Sequence, residues 1–293
     1  MLSRLHMDLF FFSFFFSVLF CLFCGLVDSL LGFWFFLELC GLSVVPSFFY
    51  VSGAGVRNFY GALLTYLVMS GLSSVFFVAG ILFIGLYYFV VVGFVVKLGL
   101  FPFMFWVYRV FIGSNWFFIF LLSVVLKFPI LFFCFIFQLG SGCVSVVFMD
   151  CFFTIVTCGL MFWFYSHSWE CVWGSISLSS VATLMVSCFC SDMILCTFIY
   201  FYYFFWAGGV ILYFYYLGSE SLGVKGSFWL YCFLLLVTPL SFPLFYKLGV
   251  CVAIVYSSLY VLLGWCLYSL SEQFFLYKLA GDTCFSELYN FWC

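Results

Sequence analysis

Four charged side chains sit deep inside apolar runs: Glu38, Lys97, Lys127 and Lys247. Burying a lysine at membrane depth costs roughly 3 kcal/mol on insertion scales, so such residues pair with one another or face a water-filled path. Low dielectric disfavours the charged form of an amine, and a neighbouring carboxylate favours it. A glutamate that approaches and leaves a lysine would therefore load and discharge a proton. Glu38 and Lys97 suit such a switchable pair, with Lys127 and Lys247 as later stations. Several lysines along one path would repel a fixed cation, which makes sodium a poor cargo. Asp150 lies nearer the end of an apolar run and is a secondary relay candidate.

The prolines point to the same places. There are five, Pro46, Pro102, Pro129, Pro239 and Pro243, each within about two turns of a buried charge. A proline in a helix lacks a donor and clashes with the carbonyl four residues back, which for Pro102 belongs to Leu98, beside Lys97. Backbone freed in this way at depth is tolerated only where it is enclosed by protein or lines a cavity. Pro102, Pro239 and Pro243 are thus expected to break helices next to Lys97 and Lys247. Snorkelling to the interface suits Lys247, near a span end, but not Lys97 or Lys127.

The elements that position these residues follow from composition. The chain has 293 residues, 69% hydrophobic and 6% charged, with a mean hydropathy of +1.35. Soluble domains carry about a quarter charged residues. The apolar runs have spanning length and no alternation with period two, so the expected fold is an all-α polytopic membrane protein. Ten spans are expected, at 9–27, 29–50, 58–85, 87–108, 116–138, 143–165, 170–190, 193–217, 228–248 and 249–270. The first run lacks a clear cleavage site and reads as a retained span. A polar tail over 271–293, with Glu272, Lys278, Asp282 and Glu287, is expected at or outside the membrane surface. With ten spans, Arg4, Arg57, Arg109, Lys225 and Lys278 all fall on one side, and the positive-inside rule puts that side and both termini in the inserting compartment.

The chain reads as a single membrane domain, 1–293, of two five-span halves, about 9–138 and 143–270. An odd number of spans inverts one half relative to the other. In each half the fourth span joins proline to lysine, a pattern of ion-coupled transporter folds. The halves differ: the seventh span has no counterpart of Glu38, nor the tenth of Lys127.

Sixteen cysteines lie mostly within apolar runs and read as small packing residues, including the Cys21–Cys24 pair. The excess of residues with T- and G-rich codons, 50 Phe foremost, suits a skewed organelle genome. His6 and His167 fall in expected loops, where an interfacial place outweighs a catalytic one. No G-x-G-x-x-G is present, since Gly53-Ala54-Gly55 lacks the third glycine, and no cysteine set has iron–sulfur spacing in a loop.

Residues 97–106, KLGLFPFMFW, resemble the K-L-G-x-x-P-F-H-x-W motif of the mitochondrially encoded chain 2 family of respiratory NADH:ubiquinone oxidoreductase, complex I. Three further segments fit in order: Leu37-Glu38-Leu39 through Pro46, Leu126-Lys127-Phe128-Pro129, and 234–247, LLLVTPLSFPLFYK. The resemblance covers the chain to about residue 270. It implies an antiporter-like inverted repeat in the membrane arm of complex I, in the inner mitochondrial membrane, with the termini on the matrix side. Glu38, Lys97, Lys127 and Lys247 would be its proton-channel residues. Proton translocation would be coupled to NADH oxidation and ubiquinone reduction in partner subunits, so the chain would belong to an enzyme without a redox centre of its own. NADH, FMN, iron–sulfur clusters and ubiquinone would belong to the complex. The implied partners are other membrane-arm subunits and the lipid bilayer, with no nucleic acid. The chain departs from the family pattern at Met104, which replaces the motif's histidine, and at Tyr108-Arg109, which replaces Pro-Glu. It departs again at Thr183, where Ser179-Ser180-Val181-Ala182-Thr183 stands for S-S-I-x-H. Thr183, serines, water or Asp150 would then serve as the relay between halves. An independent secondary proton/cation antiporter of the same fold, and a structural subunit with vestigial charges, remain open.

Overall fold

The structure is a computed structural model that describes residues 2–49, 56–83, 88–138, 144–166, 168–218 and 224–284. His167, Glu287 and the rest of 285–293 lie outside the described residues. Helices joined by turns make up the described residues: α1 (Leu2–Cys24), α2 (Leu30–Val44), α3 (Val56–Leu82), α4 (Tyr88–Leu98), α5 (Phe105–Ile112), α6 (Trp116–Ser123), α7 (Pro129–Gln138), α8 (Val144–Phe164), α9 (Trp169–Cys190), α10 (Met193–Gly218), α11 (Val224–Leu234), α12 (Phe242–Ile254) and α13 (Leu259–Cys284). Short 3₁₀ turns, Val45–Phe49 and Val125–Lys127, follow α2 and α6. Ser29 and Ser168 cap α2 and α9, accepting from the amides of Gly32 and Cys171, the exchange that lets a serine start a helix.

This is a polytopic all-α membrane protein. Seven helical stretches among the described residues have the length and apolarity to cross a bilayer, and three shorter apolar helices, Asp8–Cys24, Tyr88–Leu98 and Phe242–Ile254, bring the total to the ten expected. Large apolar side chains such as Phe15, Leu64, Ile194 and Phe205 face outward, as lipid permits. α1 packs on α2 as α8 packs on α9, and α3 packs on α4–α5 as α10 packs on α11–α12. Arg109 closes α5 beside the start of α3, where a methyl group on Gly61 would stand 4.0 Å from its guanidinium. That puts the start of α3 and the last turn of α5 side by side.

Three spans are broken rather than two. α4 and α5 are separated at 99–104, α6 and α7 at 124–128, and α11 and α12 at 235–241. Pro102 and Pro239 lie in breaks, and the Phe101–Pro102 peptide is cis. Pro243 instead sits in the first turn of α12, where no amide bond is lost. His6 lies within α1 rather than a loop.

The expectation of a polar tail from residue 271 is overturned. The last helix begins ten residues later than expected and runs unbroken to Cys284, and Leu259–Asp282 forms the tenth span. Its mean hydropathy, 1.3, is the lowest among the seven long stretches. Glu272, at 3% exposure, falls inside it.

Packing at the first break rests on two glycines. At Gly93 a Cβ would stand 2.9 Å from the Ser73 carbonyl, so α4 meets α3 backbone to backbone, the close approach small residues permit between helices in lipid. Gly99 has φ +72°. Its amide donates to Val96 and that of Leu100 to Val95, a left-handed C-cap suited to glycine. Gly99→Ala would add about 1–2 kcal/mol of left-handed strain and drive Cβ into Val107. The expected result is a lower thermal midpoint of the solubilised chain. Gly71→Ala, whose Cβ meets nothing within 4 Å, should leave the midpoint unchanged.

Candidate functional site

Each break has its freed backbone groups taken up by side chains from other segments. At the first, the Trp106 indole donates to the Val96 carbonyl (3.0 Å), and the Phe101 amide donates to Thr154 Oγ1 on α8 (3.0 Å). At the third, the Trp206 indole donates to the Leu234 carbonyl (2.7 Å), and the Val237 amide donates to Gln273 Oε1 on α13 (2.9 Å). At the middle break, Tyr200 and Tyr203 hydroxyls donate to the carbonyls of Val124 and Ser123 at 3.1 and 3.2 Å. Such satisfaction lets irregular backbone persist inside a membrane.

The predicted lysines sit at these breaks. Lys97 closes α4 just before the first, Lys127 ends the 3₁₀ turn in the middle one, and Lys247 lies in the second turn of α12, after the third. Glu38 reaches from α2 to Lys97, with Nζ and Oε1 2.5 Å apart. The two side chains keep 11% and 21% of their exposure, so the pair is accessible at one edge.

Lys127 is 2% exposed. Its ammonium donates to the Ser177 carbonyl (2.8 Å), Ser180 Oγ (2.7 Å) and the Tyr203 hydroxyl (2.7 Å), and it lies 4.3 Å from the centre of the Tyr203 ring. Among the described residues no carboxylate pairs with it. Lys97 and Lys127 border one cavity of about 50 Å³, room for roughly three water molecules. Tyr66, Ser70, Ser123 and Ser177 supply polar groups along its wall.

From Lys127 the polar groups continue along α9. Cys171 to Phe189 are all buried, and Ser175, Ser177, Ser179, Ser180, Thr183 and Ser187 are among them. Thr183, the predicted relay, donates to the Ser180 carbonyl (3.1 Å). The Tyr246 hydroxyl faces both Thr183 and Ser180 and is within electrostatic reach of Glu272, and its ring stacks on Trp206 at 5.0 Å. The row ends at Lys247, whose Nζ is 2.9 Å from Glu272 Oε2.

The structure thus unites Glu38 with Lys97, brings Lys97 and Lys127 to a shared cavity, and places Thr183 beside Ser180, a partner of Lys127, and Tyr246. Asp150 is not brought in. It lies half-buried on α8, and its carbonyl accepts from Thr154, but it makes no ion pair with the lysines among the described residues. Glu272, Tyr203 and Tyr246 were missed by sequence reasoning. Tyrosines are too common here, 20 in all, for one to stand out. Glu272 carried a usable signal: an acid with apolar residues at Leu267, Leu270, Phe275 and Leu276 around it.

The site and fold define a class: a polytopic helical membrane protein with broken spans that hold buried lysines along a polar interior. Among the solved structures that match is a chain of respiratory complex I from Thermus thermophilus, determined with aureothin bound. It is similar with a TM-score of 0.71 at 16% identity, over 92% of this chain and 69% of that one. At that identity the likeness carries the fold. No family model matches the chain, and no relative among curated proteins matches it.

Proposed function

We propose that this chain is a proton-translocating membrane-arm subunit of a respiratory complex I, in the inner mitochondrial membrane. The observation that carries the reading is the row from Glu38–Lys97, through the shared cavity, to Lys127, Ser180, Thr183 and Tyr246, with the Lys247–Glu272 pair beyond it. In this reading a proton held by Lys97 is released when Glu38 moves away. It crosses the cavity through water to a neutral Lys127, then passes by hydroxyl groups to Lys247. The hydroxyls donate one proton as they accept the next, which suits Ser and Thr in place of a histidine. Shared fold with a complex I chain and the sequence motifs at all four charges support the assignment. NADH oxidation and ubiquinone reduction, with their FMN and iron–sulfur centres, belong to partner subunits.

The test is native-gel separation of gently solubilised membranes, stained for NADH oxidation, with this chain located by mass spectrometry. Co-migration with the NADH-oxidising band is the expected result. Migration apart from it would sink the assignment and favour a free proton/cation antiporter.

A further inference from the structure

We propose that Glu272 is a second proton-exchanging carboxylate, which receives the proton released by Lys247, so that an acid–lysine pair stands at each end of the row. The inference rests on the proton-translocation reading above. Its geometry is independent of the sequence motifs, which do not reach Glu272. The Glu272 side chain is 3% exposed and lies 2.9 Å from Lys247 Nζ, close enough for an ion pair but angled away from a hydrogen bond, so transfer needs a small rotation of one side chain. The next residue, Gln273, accepts from the Val237 amide inside the third break (2.9 Å). A shift in the broken backbone therefore acts on the turn of α13 that carries Glu272.

The two ends are built alike. In the first half, Glu38 pairs with the lysine before a break, and in the second, Glu272 pairs with the lysine after one. Lys127 and Glu272 both lie on the fifth span of their halves, so the position that holds a base in one half holds an acid in the other. Lys127 has hydroxyl and carbonyl partners where the outer lysines have carboxylates. A central station without a fixed counter-charge between two paired ends lets charge enter and leave from either side without a permanent trap.

The step itself is a single proton transfer. The Lys247 ammonium gives its proton to Glu272 Oε2, the ion pair becomes a neutral amine beside a carboxylic acid, and the acid then releases the proton to water. The amine is left ready to accept from the Tyr246–Thr183 side. A pair that is only structural would stay ionised throughout.

The difference is readable without altering the chain. A lipid-soluble carbodiimide adds to a carboxyl group only in its protonated form. Membranes holding the intact complex are treated with dicyclohexylcarbodiimide at rest and during NADH oxidation, and the adducts on Glu38 and Glu272 are read by mass spectrometry. The expected result is labelling of Glu272 severalfold higher in turnover than at rest. Turnover-dependent labelling of Glu38 with none at Glu272 would overturn this proposal alone, and no turnover-dependent labelling at either would overturn the translocation reading with it. Glu272→Gln supplies the second arm, with translocation per NADH expected to fall about tenfold and Glu272→Asp to restore part of it. Full translocation by Glu272→Gln would also overturn the proposal.

Discussion

Lys127→Met is expected to stop coupled proton translocation while leaving the chain folded and assembled. The separation of the two effects follows from the partners of the ammonium. Ser180 Oγ also donates to the Ser177 carbonyl (2.7 Å), and the Tyr203 hydroxyl donates to the Ser123 carbonyl (3.2 Å). Removing the lysine therefore leaves no buried donor without an acceptor. A buried charge also costs several kcal/mol to desolvate, so an apolar side chain of similar length is neutral or stabilising there. The measurement pairs the amount of NADH-oxidising complex on native gels with acidification driven by NADH in sealed vesicles. Normal band intensity with translocation reduced by about a hundredfold, the low end of what a positioned acid–base group contributes, is the expected pattern. Normal translocation would mean that the row does not pass through Lys127.

Lys97→Met should behave differently. It leaves Glu38 facing an apolar neighbour, and breaking a buried pair by removing one partner costs about 3–5 kcal/mol, less here because the carboxylate keeps 21% of its exposure. The expected result is less assembled complex as well as no translocation. Adding Glu38→Gln to the same chain removes the stranded charge. The double variant should regain assembly and still fail to translocate. If the single and double variants assemble equally well, the pair contributes nothing to stability. If the double variant translocates, Lys97 is not on the path.

The contrast between these lysines shows how much was legible beforehand. Lys97 and Lys127 announce themselves because a charge inside an apolar run has few explanations, and Pro102 beside Lys97 marks broken backbone. What the chain alone could not reveal is which hydroxyl lies opposite which amine. Ser180 and Tyr203 are brought to Lys127 from 53 and 76 residues away, a matter of tertiary packing that local pattern does not carry. The break at 124–128 was missed because Pro129 opens α7 instead of interrupting it. The error at the last span has a simple cause. Ser257 and Ser258 lie in a turn between α12 and α13, but the surrounding residues are apolar enough for a hydropathy window to run across them. The window then ended where Ser271 and Glu272 lower the average, although Glu272 is neutralised there by Lys247 and need not leave the membrane.

α9 has a consequence for the order in which the molecule is made. It is enclosed by α5, α7, α8, α10 and α12, and it holds the row of serines. During synthesis the first three of these precede it, but α10 and α12 do not. Domains and spans emerge from the amino end, so until Phe242 and the residues after it have entered the bilayer, one flank of α9 presents hydroxyl groups to lipid or to the insertion machinery. The nascent chain therefore passes through a stage in which eight of its ten spans are in place and its central column is still unsealed. A ribosome that stalls at that stage releases a product in which one flank of its serine-rich helix is left without the α12 side chains that cover it in the finished molecule.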